Sequence, residues 1–400
     1  MLLMAFFGLG ALRAEPGTTP WFLAPWAETF AKDPRAASLE WFDQARLGLF
    51  VHWGVWGPKH AAWSMYYDKI PLPDYQALAR NLDASGFDAR AIVKLAKDGG
   101  MKYITFVAKH HDGFCLWDSR ASGFDSMDYP VHRDFLKELS QACREGGIPL
   151  FVYYSLGIDW THPDFMTRRQ YVNARPDTAD AGASAKDWTP ARFENYRAFC
   201  KAQLTELCTG YGDIAGFWFD PLGGVIANAG IFKAQEFYDT IHAIQPHALI
   251  LFKSGITGTE DVLVGERELA SISMHYGGKS DEQKRIRAMA DASWQANRDR
   301  KAEIAVTSQG TWEWTPKAEC RPASELYQML EHASRNNANM LLNFGPRVNG
   351  SIPDDVATEF HALGERIRKD GYPTLNRETW KQLRGADRPV DTKEEKPTAR

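Results

Sequence analysis

Five short segments of the sequence carry side chains that could do chemistry: His52–Gly54, Lys109–Phe114, Tyr153–Ser155, Phe217–Asp220 and Leu342–Pro346. Each lies at the end of an apolar, β-rich run. Histidine and tyrosine can hydrogen-bond the hydroxyls of a sugar, and tryptophan offers a flat apolar face that suits a sugar ring. An aspartate, Asp220, follows three aromatic residues at the end of one of these runs. A chain that needed these positions only for packing would not place polar groups at all of them.

The elements that must position these groups are short strands separated by helix-like stretches such as Ala89–Asp98 and Arg133–Glu145. Apolar strands that alternate with helices indicate a parallel sheet buried on both faces. Seven strands are predicted, at Leu47–His52, Tyr103–Lys109, Leu150–Ser155, Ala215–Asp220, Ala248–Lys253, Glu303–Thr307 and Asn339–Phe344.

This alternation favours a (β/α)8-type barrel of the α/β class, with closure that need not be perfect. No eighth strand is evident, and the segment near Tyr372–Leu375 is taken as its stand-in. No G-x-G-x-x-G follows the first strand, so the usual dinucleotide fingerprint is missing. In such a barrel the catalytic residues lie at the carboxyl ends of the strands, where the polar segments fall.

Composition excludes several classes of protein. The chain has 400 residues, of which 44% are apolar and 24% charged, so it is neither mainly disordered nor coiled coil. Its net charge of -4 argues against a nucleic-acid scaffold. Five cysteines without a C-x-x-C pair make neither a disulfide framework nor a cysteine zinc site. The 14 tryptophans suit sugar recognition, but also cores and interfaces.

The ends of the chain differ from its middle. Residues 1–14 form an apolar run before Glu15, which indicates either a signal peptide or an apolar arm. The signal peptide predicts export to the periplasm or the medium, although an odd cysteine count weighs against an oxidising compartment. The catalytic barrel is expected over 20–384 and a disordered tail over 385–400. Asp177–Lys186 is predicted to be a surface loop. Past the apolar run, the sequence holds no other candidate membrane span.

Each polar residue also has a structural interpretation. His52 could be a hydrogen-bonded core histidine, Asp220 a helix cap, and Trp53 and Trp218 core residues. The adjacent pair His110-His111 would point to opposite faces of a strand, and could share a metal only if the chain had already left the strand. The first strand also lacks His-x-His, which argues against a barrel metallohydrolase.

Taken in order, the segments resemble blocks of the glycoside hydrolase family 29 α-L-fucosidases over about 41–372. The Ala108–Phe114 string, AKHHDGF, is the most specific match. The other matching segments are Trp41-Phe42, Leu47–Gly54, Arg133-Asp134, Val152–Ser155, Trp160–Asp164, Ala215–Asp220, Asn339–Pro346 and Asn349–Pro353.

The resemblance implies a retaining exo-glycosidase that removes terminal α-L-fucosyl residues from a glycan or glycoconjugate, with neither metal nor organic cofactor. It implies that Asp220 is the nucleophile. Fucose contacts are expected from His52, His110, His111, Tyr154 and Trp218, with Trp53 and Tyr66 added to the predicted sugar-binding set. The oligomeric state, the linkage preference and the source of the glycan are not predicted.

The general acid/base is expected at Glu266, on the loop after the fifth strand, where the family has its acid/base segment. Glu260 on the same loop, Glu303 at the start of the sixth predicted strand and Glu313 between two tryptophans are the rivals. A retaining enzyme needs two carboxyl groups about 5–5.5 Å apart. We expect neighbouring donors to keep the pKa of Asp220 low and a less polar surrounding to keep the acid protonated.

Two departures from the family bear on specificity. Met65 stands where members have the glutamate of Glu-Trp-Tyr, and Lys253-Ser254 stands where many have an arginine. The chain ends too soon for the C-terminal β-sandwich that many members carry, so none is expected. Another sugar on the same barrel, or a catalytically inactive carbohydrate-binding relative that lacks one carboxylate, therefore stay open as alternatives.

Overall fold

The computed structural model describes residues 18–168, 170–171, 173, 188–253, 255–271 and 281–377. Its strands form one closed barrel in the order β1 to β8, and every neighbouring pair is parallel. The predicted barrel is thus confirmed. The strands are β1 Leu47–Val51, β2 Tyr103–Lys109, β3 Leu150–Ser155, β4 Ile214–Asp220, β5 Leu249–Lys253, β6 Val262–Glu266, β7 Lys301–Thr307 and β8 Ala338–Phe344.

The helices lie before, between and after these strands. They are α1 Ala27–Lys32, α2 Pro34–Ala45, α3 Ser64–Tyr67, α4 Leu72–Arg80, α5 Ala89–Asp98, α6 Phe135–Gly146, α7 Pro190–Gly210, α8 Leu222–Ala227, α9 Ala229–Phe232, α10 Gln235–Ile244, α11 Asp281–Asn297, α12 Ala323–Arg335 and α13 Asp354–Asp370, with short 3-10 turns at Trp21–Trp26 and Gly57–Lys59. No helix in the described ranges is long and apolar enough to cross a membrane.

Local sequence explains where the helices of the first repeats begin. Asp88 caps α5, because its carboxylate accepts hydrogen bonds from the amides of Arg90 and Ala91. Asp134 caps α6 by accepting one from Lys137. Both helices bury their apolar side in the outer core, together with outward-facing side chains of β2 and β3.

The strand that is missing from the seven predicted ones is β6. The expectation of a strand near Tyr372–Leu375 is wrong. Tyr372–Leu375 has no strand pairing, whereas Val262–Glu266 pairs with both β5 and β7. β6 escaped detection because its apolar run is only three residues long and follows Glu260 and Asp261. The Asp261 carboxylate is buried and accepts a hydrogen bond from the amide of Ile250 at 2.8 Å, which ties the start of β6 to β5.

Aromatic side chains fill the barrel. The segment before β1 closes the end opposite the site, where Trp41 stacks on Phe151 at 6.1 Å and Phe42 meets Tyr103 at 5.7 Å. Much of the tryptophan content therefore serves packing. The apolar run at 1–14, the loop at Asp177–Lys186 and the tail at 385–400 lie outside the described residues.

Candidate active site

The carboxylate of Asp220 lies at the carboxyl end of β4 and is only 8% exposed. The Tyr153 hydroxyl at the end of β3 donates a hydrogen bond to its Oδ2 at 3.0 Å. The Lys253 ammonium at the end of β5 lies 3.0 Å from Oδ1, and His111 Nε2 lies 3.9 Å from Oδ2. Neighbouring parallel strands end at the same edge of the barrel, so these groups converge.

A second carboxylate shares the same ammonium. Glu266, the last residue of β6, accepts a hydrogen bond from Lys253 Nζ at 2.7 Å through Oε2, and one from the Trp312 indole at 3.2 Å through Oε1. Lys253 Nζ lies 3.0 Å from Asp220 Oδ1 and 2.7 Å from Glu266 Oε2. Because both oxygens contact the same nitrogen, the two carboxylates lie close together. This arrangement is compatible with the carboxyl separation of about 5–5.5 Å in retaining glycosidases.

The electrostatics of Asp220 differ from the sequence-based expectation. Burial raises its pKa and the nearby Glu266 carboxylate raises it further, while Lys253 and Tyr153 lower it, and the net direction is upward. The expectation of a low pKa is wrong, because desolvation of this buried carboxylate outweighs the donors around it. Of the groups that lower the pKa of Asp220, Lys253 has the largest effect.

The two adjacent histidines both lie in the site. The β2–β3 register shifts between Val107 and Lys109, so Val107 faces the barrel interior and Lys109 faces outward, and β2 ends there. His110 and His111 follow the strand, and their ring centroids are 3.9 Å apart. The expectation that they point to opposite faces is wrong, since strand alternation no longer applies past the irregularity.

Lys109 anchors this turn from behind. Its ammonium is fully buried in an ion pair with Asp159 at 3.0 Å and donates to the Tyr154 hydroxyl at 3.0 Å. Gly113 has a φ of +79°, and a Cβ there would lie 2.2 Å from Thr161 Oγ1. The sequence KHHDG thus combines an outward anchor, two inward rings and a glycine that permits the tight turn.

His52 and His110 bring unpartnered polar atoms into the site. His52 follows β1, and its ring lies 5.1 Å from that of His110. Neither ring nitrogen of His52, nor Nδ1 of His110, has a hydrogen-bond partner among the described residues, although all three are buried. Burial lowers the pKa of His52 to about 3 and that of His110 well below its usual range. Neutral imidazoles with free donors and acceptors suit the hydroxyls of an uncharged ligand.

Tyr154 and Trp53 do not face the site, which corrects two predicted sugar contacts. Tyr154 points into the helix layer, where its hydroxyl donates to Gln203 at 2.7 Å. Trp53 is buried against Phe87 at 5.3 Å, and its indole donates to the carbonyl of Val348 at 3.3 Å. Side chains alternate along a strand, so the residue before Tyr154, Tyr153, is the one that reaches Asp220.

Trp218 and Tyr66 occupy the floor and the wall of the site. Trp218 stacks on Tyr153 at 5.4 Å and its ring lies 5.8 Å from Lys253 Nζ. Tyr66 stacks on Trp160 at 5.9 Å and receives a hydrogen bond from Arg168 at 2.9 Å. Since Trp160 also contacts the ring of His111, it lies between Tyr66 and His111.

The rival carboxylates have other partners. Glu260 accepts hydrogen bonds from the amides of the 256–258 turn and from Tyr238, which makes it a loop anchor. Glu303 is buried inside the barrel, where it accepts from the hydroxyl of Tyr103 and the indole of Trp218. Glu313 accepts from the amide of Ala62 at 2.6 Å. Among these four glutamates, only Glu266 shares a cation with Asp220.

Besides Tyr153, three aromatic residues of the site escaped the sequence-based prediction. Trp63 and Trp160 lie 4.9 Å and 5.6 Å from the ring of His111, and Trp312 reaches Glu266 and His52. All three lie on loops, where no periodicity marks the inward side. Met65 is fully buried in the outer core, so it is not the residue that faces a sugar here. No group of three or more His, Cys, Asp or Glu in the described part of the chain is arranged to hold a metal ion.

Comparison with known proteins agrees with this geometry. The family model described as "Alpha-L-fucosidase" matches residues 23–372. A putative α-L-fucosidase of Caenorhabditis elegans is 27% identical over 364 residues, which cover 85% of this chain and 67% of that protein. Human tissue α-L-fucosidase is 24% identical over 368 residues, covering 85% of this chain and 70% of its own length.

Solved structures give the same result. α-L-Fucosidase isoenzyme 1 from Paenibacillus thiaminolyticus superposes with a TM-score of 0.68 at 26% identity, covering 86% of this chain and 80% of that one. The α-L-fucosidase AlfC from Lactobacillus casei, in complex with its α-L-fucose product, superposes with a TM-score of 0.65 at 26% identity, covering 83% and 99%.

Proposed function

The chain belongs to the α-L-fucosidase family of glycoside hydrolases, and from that premise we propose that it hydrolyses terminal α-L-fucosyl residues by double displacement, with Asp220 as nucleophile and Glu266 as acid/base. The observation that carries the proposal is the shared ammonium of Lys253, 3.0 Å from Asp220 Oδ1 and 2.7 Å from Glu266 Oε2. It brings two carboxylates from β4 and β6 within the reach that a retaining mechanism needs.

In the first step, an oxygen of Asp220 attacks the anomeric carbon and the glycosidic carbon–oxygen bond breaks. The departing oxygen takes the proton of Glu266, so the products are a glycosyl ester on Asp220 and a free alcohol. Oδ2 is held by the Tyr153 hydroxyl and Oδ1 faces the Lys253 ammonium at 3.0 Å, so each oxygen of the nucleophile is oriented by a group on a neighbouring strand.

In the second step, the Glu266 carboxylate removes a proton from water as the water oxygen attacks the anomeric carbon. The ester bond to Asp220 breaks, and the aspartate is regenerated as the carboxylate. The Glu266 side chain is 35% exposed, which gives water access to this face, while Asp220 stays enclosed.

The sugar-binding part of the proposal rests on the unpartnered ring nitrogens of His52 and His110. A monosaccharide in the site would supply hydroxyls to these buried atoms, whose burial without a partner costs about 1–3 kcal/mol each. His111 hydrogen-bonds Ser155 through Nδ1 at 2.7 Å, which leaves Nε2 directed toward Asp220 and the ligand. Trp218 supplies an apolar floor.

The decisive experiment is Asp220→Ala, assayed on an aryl α-L-fucoside. We expect turnover to fall by several orders of magnitude with an unchanged melting temperature, because no glycosyl ester can form. Added azide should restore part of the rate by attacking the anomeric carbon in place of the carboxylate. Asp74→Ala, at an exposed position in the first turn of α4, is the matched control. Turnover close to wild type in Asp220→Ala would end the assignment.

We also propose export of the protein, on the apolar run at residues 1–14. Fractionation of expressing cells and determination of the mature N-terminus test this separately. A cytoplasmic protein that retains residue 1 would contradict it without touching the catalytic proposal.

A further inference from the structure

Lys253 lies between the two carboxylates rather than beside one of them. Its side chain is 13% exposed, and its ammonium hydrogen-bonds Glu266 while it forms an ion pair with Asp220. From sequence alone, this position stands out only as a departure from the arginine of many family members. A lysine has a compact charge on a flexible stem, so it can change partners more easily than a planar guanidinium.

Within the described ranges, the titratable groups that face this ammonium, other than the two carboxylates, carry no positive charge. Tyr153 faces it from β3, His52 from the end of β1, and His110 and His111 from the turn after β2. Burial lowers the pKa of all three histidines, so they are neutral at neutral pH, and burial raises the pKa of Tyr153, so it keeps its proton. Of these groups and the two carboxylates, only Lys253 is a cation.

An ammonium shared in this way favours the ionised form of both carboxylates. Burial alone would lower the pKa of Lys253, but Asp220 and Glu266 together raise it above its usual range, so the charge persists. The anionic form is what a nucleophile requires. A general acid requires the opposite, because it must carry a proton when the glycosidic bond breaks. The contact with Lys253 thus favours the ionised form of Glu266, which is the form that cannot start the reaction.

We propose that Lys253 is a further catalytic residue, whose ammonium pairs with both carboxylates in the free enzyme and moves from Glu266 to an oxygen of the sugar when substrate enters. Glu266 then takes up one proton from solvent, which its exposed side chain can reach, and later gives that proton to the leaving oxygen. Asp220 keeps its contact with Tyr153 and stays ionised. This inference rests on the proposed roles of Asp220 and Glu266.

The test compares two pH profiles of the wild-type enzyme on an aryl α-L-fucoside with a poor leaving group. The profile of kcat/KM reports the free enzyme and that of kcat reports the substrate complex. If substrate draws Lys253 away from Glu266, the alkaline limb lies at higher pH in kcat than in kcat/KM. Coincident alkaline limbs in the wild type would overturn the proposal without any variant.

Lys253→Gln and Lys253→Arg extend the test. In Lys253→Gln both limbs of kcat/KM should move to higher pH, since neither carboxylate has its counter-ion, and the alkaline limbs of the two profiles should coincide. We expect kcat/KM to fall by roughly 10- to 1,000-fold. Lys253→Arg should keep the kcat/KM limbs in place, because the charge remains. If Lys253→Gln lowers kcat/KM at every pH without moving either limb, the role of the residue is structural and the proposal is contradicted.

Glu266→Ala separates the two levels of inference. If this variant hydrolyses an activated fucoside far better than a disaccharide while Lys253→Gln shifts no limb, the acid assignment stands and the Lys253 proposal fails. If Glu266→Ala impairs both substrates equally, the proposed acid is itself wrong, and the Lys253 proposal fails with it.

Discussion

Replacing Tyr153 with phenylalanine removes one hydrogen bond from the proposed nucleophile and leaves the aromatic packing on Trp218 in place. The hydroxyl donates to Asp220 Oδ2 at 3.0 Å and lowers the pKa of this carboxyl. Its loss should therefore raise the pKa of Asp220 and move the acidic limb of kcat/KM to higher pH. A buried hydrogen bond to a charged group is worth about 1.5–3 kcal/mol. On the acidic side of the profile, where the rate follows the ionised fraction, this corresponds to a loss of roughly 10- to 150-fold.

The assay is the pH dependence of kcat/KM on an aryl α-L-fucoside, and the matched variant is Tyr154→Phe on the opposite face of β3. The Tyr154 hydroxyl contacts Gln203 and Lys109, so its loss should lower the free energy of unfolding by about 1–3 kcal/mol and leave the pH profile unchanged. The reasoning is refuted if Tyr154→Phe moves the acidic limb and Tyr153→Phe does not.

Further predictions concern the acid, the histidines and the barrel floor. Glu266→Ala should impair hydrolysis of a fucosyl disaccharide far more than that of an activated aryl fucoside, and should flatten the alkaline limb; the same pattern in Glu313→Ala instead would move the acid to that loop. His52→Ala should lower kcat/KM by roughly 10- to 1,000-fold, through lost contacts to sugar hydroxyls, and a chelator should leave the wild-type rate unchanged. An essential stoichiometric metal would contradict this. Burial raises the pKa of Glu303 to about 7, so the folded protein keeps a proton that the unfolded chain releases. The free energy of unfolding should then fall as the pH rises toward 7, and Glu303→Gln should remove about 3 kcal/mol of that fall in chemical denaturation; an equal fall in both proteins would argue against it.

The barrel, the family and the strand ends at which polar groups collect could all be predicted from local sequence patterns. Apolar runs separated by amphipathic stretches indicate the type of each element, because hydrophobic periodicity can be recognised within a window of about 11–18 residues. This periodicity was insufficient for β6, whose apolar run is three residues long and whose strand exists because β5 and β7 pair with it on either side.

Which side chains meet in the site depends on strand register and side-chain alternation in the folded barrel. A register shift after Val107 turned His110 and His111 toward one pocket, and strand alternation selected Tyr153 over its neighbour Tyr154. A shift of one residue reverses the face of every side chain that follows, and the sequence carries no separate signal for it. The position of Lys253 between Asp220 and Glu266 likewise depends on the pairing of β5 with β4 on one side and with β6 on the other. The interaction between charges depends on the distance between them, and the folded barrel sets these distances. The protonation of the site residues therefore depends on the tertiary structure.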